Sequence, residues 1–193
     1  MRQTGFTLAE LLIALAILGV IATFTIPKVL QVQESSEYNA KAKEFAGALS
    51  EARQKMLAEG TWNGSTRNSD VWPYLNYVKV ESTMLVDAWQ NSTTMDCSTR
   101  SCYRLHNGAV AHSGSGALNI GGVENTSALS FHIDPDGKVT TDGSAGTPGK
   151  GLILFIYYNG RIRTYGTVLN NTCSSAQCWV PVPAADPPWF SWD

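Results

Sequence analysis

Hydrophobic and polar positions change their pattern twice along this chain, and each change marks an element. From Phe6 to Ile26 there are 21 residues with a single charge, Glu10. As a helix they span roughly 30 Å, enough to cross a bilayer. After Pro27 the pattern becomes one-sided. Tyr38, Ala42, Phe45, Leu49, Ala52 and Met56 recur at spacings of 4, 3, 4, 3 and 4, which is one apolar stripe on a helix. Glu37, Lys41, Lys43, Glu44, Glu51 and Lys55 fill the other face, with Glu37–Lys41 and Glu51–Lys55 spaced for i,i+4 pairing. Gly60 is placed to cap the helix. The predicted helix runs from Phe6 to about Glu59. It is expected to break or bend at residues 23–27, because Pro27 removes a backbone hydrogen bond and clashes one turn back. A coiled coil fits the stripe less well, since the stripe is short and follows a membrane-length run.

The second change comes at Gly60. Residues 61–76 mix turn formers with Trp62, Val71, Trp72, Tyr74 and Leu75, which reads as a loop with a short helical turn laid over the stripe. Strand candidates follow at Tyr77–Val80, Tyr103–His106, Ala109–His112, Ala117–Ile120, Ala128–Ile133, Lys138–Thr141, Leu152–Tyr158 and Ile162–Val168. Asn107-Gly108 and Asn159-Gly160 separate two pairs of them, a hairpin signal. The tail from Val180 is proline-rich. A long helix followed by short antiparallel strands gives an α+β class. The organisation is a short polar start (1–5), an apolar helix half (6–27), an amphipathic half (28–60) and a β-rich head (61–193) with an irregular tail.

Composition narrows the function. A net charge of −2 in 193 residues lacks the basic footprint of a nucleic-acid binder. Arg2 precedes the apolar run, as the positive-inside tendency requires. The run is longer than the core of a secretory signal, and no small-residue cleavage site follows it. A plain signal anchor leaves Glu10 unexplained, and an intramembrane acid marks function by default. Four cysteines form two pairs of equal spacing, Cys97/Cys102 and Cys173/Cys178. Disulfides in an oxidising compartment are preferred over a four-cysteine zinc site, with the pairing open.

Gly5-Phe6-Thr7-Leu8-Ala9-Glu10, with the apolar run behind it, resembles the class III signal of type IV pilins and type II secretion pseudopilins. The resemblance covers roughly the first thirty residues. It implies that a prepilin peptidase cuts after Gly5 and N-methylates Phe6, and that Glu10 is the family glutamate. Gly19 and Pro27 fall where many members carry a helix-loosening glycine and proline. The resemblance further implies an inner-membrane, single-pass subunit with an extracytoplasmic head, drawn into a periplasmic or cell-surface filament. Its partners would be copies of itself, other (pseudo)pilins, the peptidase, an assembly platform and, before assembly, membrane lipid. In such a filament the Glu10 carboxylate would pair with the Phe6 amine of a neighbour. The competing reading is an uncleaved, membrane-anchored binding domain.

Other chemistry is sparse. Asp134-Pro135-Asp136-Gly137 with Asp142 offers oxygen ligands for calcium, yet Pro-Asp-Gly between two strand candidates is a ready turn, and the turn is preferred. The stretch from Ile133 to Arg161 resembles a loop-and-strand segment of pilin heads, some of which bind calcium. No other cofactor is expected. His106, His112 and His132 lie in strand candidates without acidic or cysteine neighbours, and read as structural. Residues 147–151, Thr-Pro-Gly-Lys-Gly, are too short for a phosphate loop. No catalytic set is visible, so no enzyme is expected. Trp189, Phe190 and Trp192 at the chain end read first as a plug for the sheet and second as an exposed anchor.

Overall fold

The computed structural model describes residues 7–82, 85–86, 95–97, 101–113, 118, 128–138, 151–164 and 189–193. They fall into two units, residues 1–37 and 38–193. Helix α1 runs over Leu8–Ala58 without a break, with Pro27 inside it. Of the break or bend expected at residues 23–27, the break is therefore absent. Proline costs the helix one i→i−4 bond, and side chains nearby engage the local carbonyls: Thr23 Oγ1 donates to Val20 O at 2.7 Å, and Thr25 Oγ1 donates to Ile21 O. Hydroxyls bonded back in this way do not present unsatisfied donors along an apolar segment.

At its other end α1 stops by a Schellman arrangement. Gly60 adopts φ +71°, its N–H bonds Leu57 O at 3.1 Å, and Thr61 N–H bonds Met56 O at 2.9 Å. Tyr38, Ala42, Phe45, Ala46, Leu49, Ala52 and Met56 are the buried residues of the helix. The whole predicted stripe is thus buried, with Ala46 added to it.

The head sheet has six antiparallel strands in the order β1-β4-β5-β6-β7-β8. They are β1 (Tyr77–Glu81), β4 (Cys102–Leu105), β5 (Val110–Ser113), β6 (Ala128–Asp134), β7 (Leu152–Tyr157) and β8 (Ile162–Thr164). A separate two-residue pair, β2 (Leu85–Val86) with β3 (Met95–Asp96), was not expected. Leu129, Phe131 and Ile133 of β6 pair in register with Ile156, Leu154 and Leu152 of β7. These alternate residues form one face and share a core with Phe45, Leu49 and Met56 of α1. Burying such side chains contributes about 1.5–3 kcal/mol each. Of the expected strands, 117–120 and 138–141 lie almost wholly outside the described residues, as does the end of β8 beyond Thr164.

The loop after α1 carries the helical turn expected of it, with a second, 3-10 turn behind it. It forms α2 (Asn68–Val71) and a 3-10 turn over Trp72–Tyr74. Trp62, Val71, Trp72 and Leu75 join the core. The Trp72 ring stacks on Tyr103 at 3.8 Å between centroids and meets Phe131 edge-on at 5.6 Å.

Candidate functional site

The start of α1 is built by two residues. Thr7 precedes the first helical residue and occupies the N-cap position, and Glu10 stands three residues on. Glu10 Oε2 accepts from Thr7 N–H at 2.8 Å and from Thr7 Oγ1–H at 2.9 Å, while Glu10 N–H donates to Thr7 Oγ1 at 3.3 Å. This is a capping box, in which each side chain satisfies a backbone donor of the other. A carboxylate here also faces the positive end of the helix dipole. The sequence reading missed Thr7, although Thr-x-x-Glu before an apolar run is the signature of such a box. It identified Glu10 as the anomaly of the segment, and the structure gives that acid a local partner.

The other predicted residues of this segment are placed as follows. Gly5 and Phe6 lie outside the described residues. Gly19 sits mid-helix, and a Cβ there would meet nothing within 4 Å, so among the described residues nothing requires a glycine. Pro27 is carried inside the helix. Leu8, Leu12, Leu15, Leu18, Phe24 and Val32 are each at least half exposed, as are the other large apolar residues from Leu11 to Leu30. Among the described residues this is one helix long and apolar enough to cross a membrane.

These features meet a family description. A family model for the prokaryotic N-terminal methylation motif matches residues 1–26. The chain carries a prepilin-type N-terminal signal. This signal, that of type IV pilin-like and pseudopilin precursors, together with the apolar helix fits membrane anchoring. Comparison with curated proteins and with solved structures gave no match.

Beyond the prepilin-type segment, the head holds the remaining candidates. Cys97 and Cys102 form a disulfide with their Cα atoms 5.4 Å apart. They pack with Val110 in a small second cluster. Cys173 and Cys178 lie outside the described residues. Asp134 Oδ1 accepts from Asp136 N–H at 3.3 Å, and Asp136 Oδ1 accepts from Lys138 N–H at 2.9 Å. These bonds, with Gly137 at φ +58°, make residues 134–138 a turn of the kind Asp and Gly favour. Lys41 Nζ donates to Pro135 O at 3.1 Å, so an ammonium already stands at this turn. Asp142 lies outside the described residues, and among those described no three His, Cys, Asp or Glu side chains gather around a common point.

His106 is exposed and bonds Asn76 Oδ1 at 3.0 Å. His112 is buried and faces His132 across the β5–β6 pair, with ring centroids 4.4 Å apart. A groove of about 360 Å³ runs between α1 and the β4–β5 turn. Its polar residues are engaged within the chain: Glu44 with Asn107, Glu51 with Lys55 and His106 with Asn76. Among the described residues that line it there is no nucleophile–base pair.

Proposed function

We propose that this protein is a structural subunit of a type IV pilus-like or type II secretion pseudopilus filament. In this reading it is inserted in the inner membrane, cut after Gly5 and methylated on Phe6. It is then polymerised through α1 with the sheet domain facing outward. The observation that carries the reading is the methylation motif at residues 1–26 continuing into a helix whose large apolar residues from Leu8 to Val32 are exposed in the single chain. A continuous apolar surface of that length needs a cover. Lipid provides it before assembly, and the same helix of neighbouring copies provides it afterwards. Subunits joined head to tail by a contact that does not close give an open filament.

The Glu10 carboxylate of one subunit pairs with the Phe6 amine of the next, so each buried charge has a partner and the stagger is fixed. Removing one partner of a buried pair typically costs about 3–5 kcal/mol. The experiment is Glu10→Ala in the full chain, with intact mass measured on the membrane fraction and filaments recovered by shearing. The expected result is a cleaved, N-methylated chain starting at Phe6 that is lost from filaments. Assembly of Glu10→Ala at wild-type level would sink the pairing. A wild-type chain retaining Met1 would sink processing and favour the anchored binding domain.

A further inference from the structure

The capping box uses Glu10 unevenly. Both donors from Thr7 converge on Oε2, and among the described residues no hydrogen bond reaches Oε1. A glutamate side chain on an exposed helix surface has three rotatable bonds, and two hydrogen bonds from one neighbour remove most of that freedom. The carboxylate is thereby fixed at the first turn, with one oxygen occupied and the other open to a donor from outside the chain. We propose that Thr7 is the positioning residue for Glu10. It grips Oε2 from its own N–H and hydroxyl, and so presents Oε1 to the cationic amine of a second copy of this chain. The proposal rests on the filament reading above and adds a residue to it. It also accounts for how the acid resides in the apolar segment before assembly. The free subunit satisfies one carboxylate oxygen internally, and pairing supplies the other without breaking the helix start.

The test uses the full chain with Thr7→Ser, Thr7→Val and Thr7→Asp, each scored as assembled subunit per cleaved subunit. Thr7→Ser keeps the hydroxyl and assembles near wild-type level. Thr7→Val removes it and lowers assembly by about tenfold or more, the worth of one hydrogen bond to a charged group. Thr7→Asp separates positioning from capping. Aspartate is a good N-cap, but its charge repels the Glu10 carboxylate, so assembly falls as far as in Thr7→Val. Wild-type assembly of either Thr7→Val or Thr7→Asp overturns the proposal. If Glu10→Ala blocks filaments while Thr7→Val does not, only the role of Thr7 falls. If Glu10→Ala assembles normally, the reading beneath it falls. A second measurement is independent of processing. In detergent micelles the Thr7 amide proton of the full-length chain exchanges slowly in wild type and rapidly in Glu10→Ala. Rapid exchange in wild type overturns the proposal whatever filaments form.

Discussion

Glu81 closes β1 with a nearly buried carboxylate, and the residues around it decide its charge. Arg104 Nε from β4 and Lys79 Nζ, at 3.1 Å, both reach Oε1, and the Glu81 side chain keeps 11% of its exposure. Burial pushes its pKa up, but hydrogen bonds and charge from Arg104 and Lys79 outweigh that, and the net shift is downward. A carboxyl lowered on folding stabilises the folded chain above its unfolded pKa of about 4.3. That contribution is lost as pH falls through the lower folded value. Glu81→Gln should therefore destabilise the head by about 1–3 kcal/mol at neutral pH. It should also flatten the acid limb of the stability curve below about pH 4, read from urea midpoints across pH. An unchanged acid limb would show that Glu81 does not drive it. Arg104 further bonds Gly108 O and Gly137 O, each at 3.1 Å, so one guanidinium ties β1 to two turns. None of this was legible in the sequence, where Glu81, Arg104 and Gly137 are widely separated. The same holds for Lys41, whose Nζ reaches a carbonyl 94 residues on.

Turns and strands show where local sequence decides an element and where packing does. Both Asn-Gly signals mark real hairpins, β4–β5 and β7–β8, and the two turns are built alike. Gly108 N–H bonds Leu105 O while Leu105 N–H bonds Ala109 O; Gly160 N–H bonds Tyr157 O while Tyr157 N–H bonds Arg161 O. The glycines sit at φ +86° and +88°, the left-handed position of a three-residue hairpin loop. Gly137 has a further constraint. A Cβ there would lie 2.1 Å from Gly108 O, so the 134–138 turn packs backbone to backbone on the β4–β5 turn. Gly137→Ala should cost more than the roughly 1–2 kcal/mol of a left-handed L-residue, because the turns must also separate. Gly108→Ala, with nothing within 4 Å of its Cβ, should cost only the backbone strain. Equal urea midpoints for the two variants would refute the close approach. The α1 stripe was fully legible because helix periodicity and burial coincide over 38–56. The β2–β3 pair was not, since two residues per strand carry no periodicity. The capping of α2 from Asp70, which accepts from Arg67 N–H at 2.8 Å, was equally hidden in a stretch read as a loop with one short helical turn.

At the scale of the whole head, the chain end returns to the helix on which the sheet is packed. Phe190 is 8% exposed and belongs to the main core. Trp189 meets Tyr38 edge-on at 5.7 Å, and Lys43 Nζ bonds Asp193 O at 3.0 Å. Trp192 stands apart at 40% exposure, touching Phe190 edge-on at 5.1 Å. The plug reading therefore holds for Phe190 and for Trp189, half-buried against Tyr38, while Trp192 is the most exposed ring of the three. A row of aromatics in the sequence cannot divide these roles, because all three residues carry the same preference for burial. The division depends on which ring the core has room for. Phe190→Ala should destabilise the full chain by about 3–5 kcal/mol, the usual loss for a buried aromatic. Trp192→Ala should stay within about 0.5 kcal/mol, as exposed positions do. Thermal melts of detergent-solubilised protein measure both, and filament yield at a temperature where each variant is folded measures assembly. If the tail only completes the core, Phe190→Ala assembles normally once folded and Trp192→Ala is neutral in both assays. A Trp192→Ala variant with wild-type stability and lost filaments would instead make that ring a contact between subunits, and residues 189–193 would then serve two roles two positions apart.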